Sequence, residues 1–539
     1  MGLAVSTDNA PRTRLSIPGH GTLTGVTLAN PATGAETVHR YTRVPYSLPP
    51  KKRFSRALPI PDDYDYTGEY VDIGAKCPQP VYQSGQIQYP SGDMDEYIQY
   101  VNIWVPSSDK HKPANGWPVL LYIHGGWLQY GDPNNELFDA VEIMDDDHFM
   151  DKYIFVTLGY RLNIFGFLTC DELLREDTKN PNINMGFWDQ REALLWTHKF
   201  IGYFGGDPEK ITISGLSAGA YSAFFQLAYE LYHPQEPQII KQVILHSNMV
   251  FSQPKSVDEC RAQYEEVITK LGIADKSPAE QLAYLRSSPA STLIDLIPTL
   301  QLHTFRAVTD DVFVPKSLLS DIESGVFAAK LAKSSTIKRI IHGEVDNEGY
   351  LYSQLNPPVD VDDLRTQLEN YYPKLVAETL MDIYDARKGT HPVDDLSSVF
   401  GGIVGDGQVY VSTRGFAASL QRHGFPADRY LRYRISYRGK WLDDHLPKDV
   451  DVTHAYDKPI WFYALRAGFD DAEKGRLQEW LTPFLSFLNF KNDNDCTWPA
   501  DDIKKLRWFK NDGSITYEDD PEWERCLPIA EKVYRVQLE

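Results

Sequence analysis

A serine set between two glycines, Gly215-Leu216-Ser217-Ala218-Gly219, joins the apolar run Ile211-Thr212-Ile213-Ser214 to a helical pattern over residues 217–231. This junction constrains the chain more than any other feature. A buried strand that passes into a helix through so tight a turn belongs to parallel α/β architecture. At such a turn the serine is forced into a strained backbone shape. Side chains on the flanking glycines would collide with the neighbouring strand and helix.

The same alternation of short apolar runs and longer helical patterns recurs along the chain. Val119-Leu120-Leu121-Tyr122-Ile123 is a buried-strand run ending at His124-Gly125-Gly126, and Ile154-Phe155-Val156-Thr157-Leu158 is a second ending at Gly159. Residues 189–204 read as a helix with Leu194, Leu195, Trp196 and Phe200 on its apolar face, stopped by Gly205-Gly206-Asp207-Pro208. Further strands are expected over 242–246, 337–341 and 431–436, and a last amphipathic segment over 474–490. The pattern predicts an α/β fold, a central and mostly parallel sheet flanked by helices. Residues 257–302 and 351–421 are largely helical and too long for simple crossovers. They read as large helical insertions over the sheet's carboxyl edge, where ligands of open α/β sheets bind. No linker rich in Gly, Ser or Pro divides the chain, so residues 1–539 are expected to form a single domain.

Composition narrows the partners. The formal net charge is −21, from 75 acidic against 54 basic residues. Such a surface repels nucleic acid and anionic membranes, so neither a nucleic-acid partner nor stable membrane association is expected. The five cysteines, Cys77, Cys170, Cys260, Cys496 and Cys526, are widely spaced and form no C-x-x-C pair. No metal and no cofactor is expected. Residues 1–15 hold no apolar core of a secretory signal, which points to a reduced, cytoplasmic protein. Met1-Gly2-Leu3-Ala4-Val5-Ser6 fits a short N-myristoylation pattern at Gly2, and one such chain would anchor the protein only weakly. No signal for an oligomeric state is present.

The chemistry of the serine turn needs partners. A nucleophilic serine acting on a carbonyl requires an oxyanion hole, built from the N–H after the serine, here Ala218, and from N–H groups of an H-G-G-type loop. His124-Gly125-Gly126 follows its own strand upstream, as that loop should. On this fold an acid and then a histidine follow the serine. Ile340-Ile341-His342-Gly343-Glu344-Val345-Asp346-Asn347-Glu348-Gly349 carries three carboxylates after a strand. Spacing alone does not choose among Glu344, Asp346 and Glu348, nor among the later His423, His445 and His454.

With these residues in view, the chain resembles the type-B carboxylesterase family, which has the α/β-hydrolase fold and includes cholinesterases, fungal lipases and neuroligins. Val44-Pro45-Tyr46-Ser47-Leu48-Pro49-Pro50, Val101-Asn102-Ile103-Trp104-Val105-Pro106, Tyr160-Arg161-Leu162 with Phe165-Gly166-Phe167-Leu168, Gly186-Phe187-Trp188-Asp189-Gln190 and Phe204-Gly205-Gly206-Asp207-Pro208 all look like family motifs in family order. The resemblance implies Ser217 as nucleophile and Glu348 as acid, because the family's D-E-G falls on Asn347-Glu348-Gly349. It implies His454 as base, because the G-x-x-H motif falls on Val452-Thr453-His454-Ala455 at its histidine. The implied hole donors are Ala218 and the loop Gly125, Gly126 and Trp127, the family's second and third glycines falling on Gly126 and Trp127.

The resemblance also shows departures. Leu216 stands where the family commonly has glutamate, which argues against binding of a cationic choline. Trp127 replaces a glycine of H-G-G-G and is expected to narrow the pocket, favouring short or compact acyl groups. Both family disulfides lack partners here, which fits a reducing compartment. The expected function is hydrolysis of small-molecule carboxylic esters through an acyl-enzyme. The alternatives are a lactonase, transacylase or macrocyclase using the same triad and, less in keeping with an intact triad, a non-catalytic neuroligin-like binding module.

Overall fold

The computed structural model describes residues 7, 9–80, 93–386, 395–491, 498–499 and 501–539. Its frame follows from the period of the strands. Along Trp117–Ile123, Val119, Leu121 and Ile123 pack into one apolar cluster while Leu120 and Tyr122 pack into another. Val243 and Leu245 against Ile244, and Ile340 against Ile341, divide the same way. Successive side chains leave a strand on opposite faces, so a sheet buried on both sides reads as an unbroken apolar run. Helix Met185–Phe200 and helix Ala218–Tyr232 cover the first face through Leu194, Trp196, Phe224 and Leu227. Helix Asp471–Leu488 covers the second through Leu477, Trp480, Leu481 and Phe484.

Among the described residues the sheet has 13 strands, one of them the two-residue Gly68–Glu69 beside Gly21–Ala29. Its centre is parallel, in the order Ile154–Leu158, Trp117–Ile123, Gly206–Leu216, Ile240–His246, Arg339–Val345, Tyr430–Ile435, Lys505–Phe509. Both flanks are antiparallel. Arg12–Ile17, Gly21–Ala29, Glu36–Pro45 and Tyr100–Pro106 run up to Ile154–Leu158 on one side. On the other, Ile515–Asp519 closes on Lys505–Phe509. The α/β expectation, with a mostly parallel sheet and flanking helices, therefore holds. The register sets Gly215 between Ile123 and Leu245, so the serine turn leaves the sheet's carboxyl edge beside the loop that follows Ile123.

Element ends differ in detail. The helix expected over 189–204 is an α-helix at Met185–Phe200 followed by a 3-10 turn at Ile201–Phe204, and Gly205 ends it at φ 83°. Gly206, Asp207 and Pro208, read as part of the stop, open the next strand.

The two insertions are helical. Within the second, helices Leu396–Gly405 and Val411–Arg422 are joined by a π-helical turn at Asp406–Tyr410. A third apolar cluster lies here, joining Trp127, Tyr352, Tyr371, Phe400 and Val404 with Val533 of helix Trp523–Leu538. Among the described residues, no helix is long and apolar enough to cross a membrane. Cys77, Cys170, Cys260 and Cys526 are free and buried; Cys496 and Gly2 lie outside the described residues.

Candidate active site

Ser217 sits at φ 57° and ψ −126°, a backbone shape that costs an L-residue energy and is held by its surroundings. Its N–H donates to the His246 carbonyl at 2.8 Å. The flanking glycines are sterically required. A Cβ on Gly215 would lie 2.2 Å from the Gly219 carbonyl carbon, and one on Gly219 would lie 2.0 Å from the Ile123 oxygen.

The loop after Ile123 packs directly on this turn. A Cβ on Gly125 would come 2.6 Å from the Leu216 oxygen and 3.2 Å from the Ser217 Cβ. Gly126 has φ 108° and turns the chain so that Gln129 and Tyr130 both donate to its carbonyl, at 2.9 and 3.0 Å. Trp127 and Leu128 follow at φ 64° and 65°, left-handed conformations that cost about 1–2 kcal/mol each for such residues. The Trp127 indole is buried, with its ring 4.7 Å from Tyr371 and 5.8 Å from His303. Gly125, Gly126, Trp127 and Ala218 are thus gathered around Ser217.

The three carboxylates of the loop after Ile341 separate cleanly. Glu344 makes a bidentate pair with Arg414, 2.7 Å to each nitrogen. Asp346 pairs with Arg434 at 2.6 Å. Glu348 instead faces His454, with Oε2 2.6 Å from Nδ1. His423 and His445 are exposed, whereas His454 is buried. Backbone pairing explains how residues so far apart in sequence meet. Asn347 N–H donates to the Val452 carbonyl at 3.0 Å, and the Thr453 hydroxyl donates to the Asn347 carbonyl at 2.6 Å. The other carboxylate oxygen of Glu348 accepts from Val345 N–H at 2.8 Å, and Glu348 N–H donates to the Tyr410 hydroxyl at 3.0 Å. Tyr410 comes from the π-helical turn, a feature that often marks functional sites.

With Nδ1 against a carboxylate, the imidazole carries its proton there and leaves Nε2 as an acceptor. That acceptor faces Tyr352, whose hydroxyl is 3.2 Å from Nε2 and also contacts Ser217. Burial, and next the charge of Glu348, hold the Tyr352 hydroxyl well above its ordinary pKa, so it stays protonated and donates. Among the described residues no hydrogen bond joins Ser217 directly to His454. Catalytic contacts are often long before substrate binds.

Ser217, Ala218 and His454 line one cavity with Trp127, Tyr130, Arg306, Tyr352, Tyr371 and Gln408, about 370 Å³ of empty space counting its open mouth. Tyr352, Arg306, Tyr371, Gln408 and Tyr410 carry no motif signal in the sequence. All lie in or beside the helical insertions. A hydroxyl on a raised turn, an imidazole backed by a carboxylate, and adjacent backbone N–H groups are the parts that acyl transfer needs.

A model of the carboxylesterase family matches residues 11–539. The chain is 41% identical over 528 residues to an uncharacterized esterase/lipase of Schizosaccharomyces pombe, covering 96% of each protein. It is 35% identical over 525 residues to a carboxylic ester hydrolase of Gibberella moniliformis, covering 94% of this chain and 93% of that one. With a para-nitrobenzyl esterase of Bacillus subtilis it shares 26% over 509 residues, 90% of this chain and 94% of the other. A solved PNB esterase structure has the same fold, with a TM-score of 0.72 at 23% identity over 97% of this chain and 100% of that one. The chain belongs to the carboxylesterase family and is an enzyme that hydrolyses small-molecule carboxylic esters.

Proposed function

We propose that hydrolysis runs through an acyl-enzyme on Ser217, with His454 as base and Glu348 as acid. The observation that supports this most strongly is the 2.6 Å contact between Glu348 and His454 beside the cavity that Ser217 lines. The Ser217 oxygen attacks the ester carbonyl while its proton passes to Nε2 of His454. The N–H groups of Ala218, Gly126 and Trp127, with Gly125 shaping the loop, stabilise the tetrahedral oxyanion. Collapse expels the alkoxide, which takes the proton from Nε2, and water then repeats the steps to release the acid. Glu348 holds the imidazole tautomer and stabilises its charged form.

The acyl group is short or compact. Trp127 and Tyr371 wall the cavity that Ser217 lines, their ring centres 4.7 Å apart. Residues 1–539 act as a single domain in a reducing, cytoplasmic setting, in keeping with the four free buried thiols. Intact mass after mixing with a slowly deacylating p-nitrophenyl ester tests the mechanism. One acyl group should be found on the peptide holding Ser217; turnover with no adduct trapped on that serine, under conditions of p-nitrophenol burst, would refute it.

A further inference from the structure

Among the described residues lining the cavity of Ser217 and His454, Arg306 supplies the only lysine or arginine side chain. It lies where the two cavities meet, since it also lines a neighbouring one with Lys255 and Tyr371. Its guanidinium carbon is 5.5 Å from the ring centre of Tyr221 and 5.7 Å from that of Tyr371. Two aromatic rings therefore hold the planar cation, one donor reaching the Tyr221 hydroxyl, and a guanidinium has further donors to offer a ligand.

Several of the arginines buried elsewhere are neutralised. Arg161 pairs with Asp189 at 2.7 Å, Arg191 with Glu230 at 2.7 Å, and Arg414 with Glu344 and Asp520 at 2.7 and 2.8 Å. Arg306, half-buried, has no carboxylate within ion-pair distance among the described residues. In the neighbouring cavity the Lys255 ammonium donates to the Glu369 carbonyl at 2.7 Å, a neutral acceptor. The carboxylate of Glu259, on the same wall, is taken up by the N–H and hydroxyl of Ser256 at 2.8 and 3.0 Å. A chain of net charge −21 thus directs an unneutralised guanidinium at its reacting centre, against the sign of its average field.

We infer that the preferred substrate is an ester bearing a carboxylate, which Arg306 binds while the ester carbonyl meets Ser217. The inference rests on the proposed role of Ser217 and narrows it to a substrate class. A carboxylate suits a guanidinium because two parallel N–H···O bonds can form at once, stronger than bonds to neutral acceptors. The carboxylate belongs either to the acyl part, in a half-ester of a dicarboxylic acid, or to the alcohol part, in an ester of a hydroxy acid.

Two matched pairs distinguish these sources: mono-p-nitrophenyl glutarate against p-nitrophenyl pentanoate, and 4-butyryloxybenzoate against 4-butyryloxybenzamide. The readout is the ratio of kcat/KM, anionic over neutral, within one protein, so that a loss of folded enzyme cancels. In one pair the ratio should favour the anion by about tenfold or more, the scale of a charge-assisted hydrogen bond. Arg306→Gln should bring that ratio to one or below, and Arg306→Lys should retain part of it. A neutral preference in both pairs, no hydrolysis of either anion, or a ratio unchanged in Arg306→Gln would overturn the inference. Failure of the Ser217 assignment has a separate signature, hydrolysis of the neutral esters that survives Ser217→Ala.

Discussion

The Tyr352 hydroxyl stands 3.2 Å from Nε2 of His454, the nitrogen proposed to receive the serine proton. It also contacts Ser217, and its ring centre is 4.9 Å from that of the imidazole. A protonated phenol donating to Nε2 stabilises the resting base and competes with Ser217 for it. That bond has to break before proton transfer, so its removal should lower the barrier. Tyr352→Phe is expected to speed labelling by a fluorophosphonate about fivefold, the worth of roughly 1 kcal/mol. A slowed reaction in a folded variant would mean that the hydroxyl relays the proton instead.

The carboxylates after Ile341 should fail in different ways. Glu348→Gln removes the partner of Nδ1 and should lower kcat by about 10³–10⁴-fold with little change in melting temperature. Glu344→Gln breaks a buried pair with Arg414, so its main effect should be on stability, about 3–5 kcal/mol at most. Asp346→Asn, at a part-exposed pair with Arg434, should do little to either. Equal losses of kcat per folded molecule in all three would contradict the roles assigned to them.

Asp457 gives the protein a pH dependence of known sign. It is fully buried beside the site, and burial first, then the charge of Glu348, push its carboxyl up to about 6. Between its ordinary value of 3.8 and about 6 the unfolded chain has released a proton that the folded chain keeps. Stability attributable to this group therefore falls as pH rises through that window, and is fully lost above it. The cost at neutral pH is on the order of 2–3 kcal/mol. Asp457→Asn keeps an acceptor for the Trp461 indole N–H, at 2.8 Å in the native protein, and should gain stability relative to wild type between pH 4 and about 7. Parallel melting curves across that range would count against it.

Trp127 stands at φ 64° in the loop proposed to hold the oxyanion, at a position where the family pattern has glycine. Glycine there relieves backbone strain but removes the ring packed against Tyr371 and widens the cavity. Wild-type kcat/KM should be greatest for acetate or butyrate among p-nitrophenyl esters of increasing length. Trp127→Gly should move the optimum to longer chains, with a smaller effect on the best short ester. An identical length profile in the two proteins would show that the indole does not bound the acyl group.

What could be read in advance depended on how locally each feature is encoded. Ser217 was legible because its strand, two glycines and helix lie within one short stretch, where sterics alone demand the pattern. The doubly buried strands were legible as unbroken apolar runs, but the half-exposed N-terminal meander, such as Arg12–Ile17, was not. Strand Lys505–Phe509 and helix Trp523–Leu538, which has Pro528 inside it, were missed for similar reasons. Glu348 and His454 needed the family resemblance, since the Asn347–Val452 and Thr453–Asn347 bonds that join their loops leave no mark on spacing. Tyr352, Arg306 and Gln408 reach the cavity only through the packing of insertions, and no local pattern sets them apart from ordinary core or surface residues.

The most direct test of the account is the Ser217→Ala variant. Wild-type enzyme should be labelled by a fluorophosphonate on Ser217 alone and should turn over a short p-nitrophenyl ester. The alanine variant, with its fold checked by melting temperature, should show no labelling and a kcat lower by about 10⁴-fold or more, as expected when a nucleophile is removed from a working triad. Hydrolysis by the folded alanine variant within about tenfold of wild type would contradict covalent catalysis at this serine.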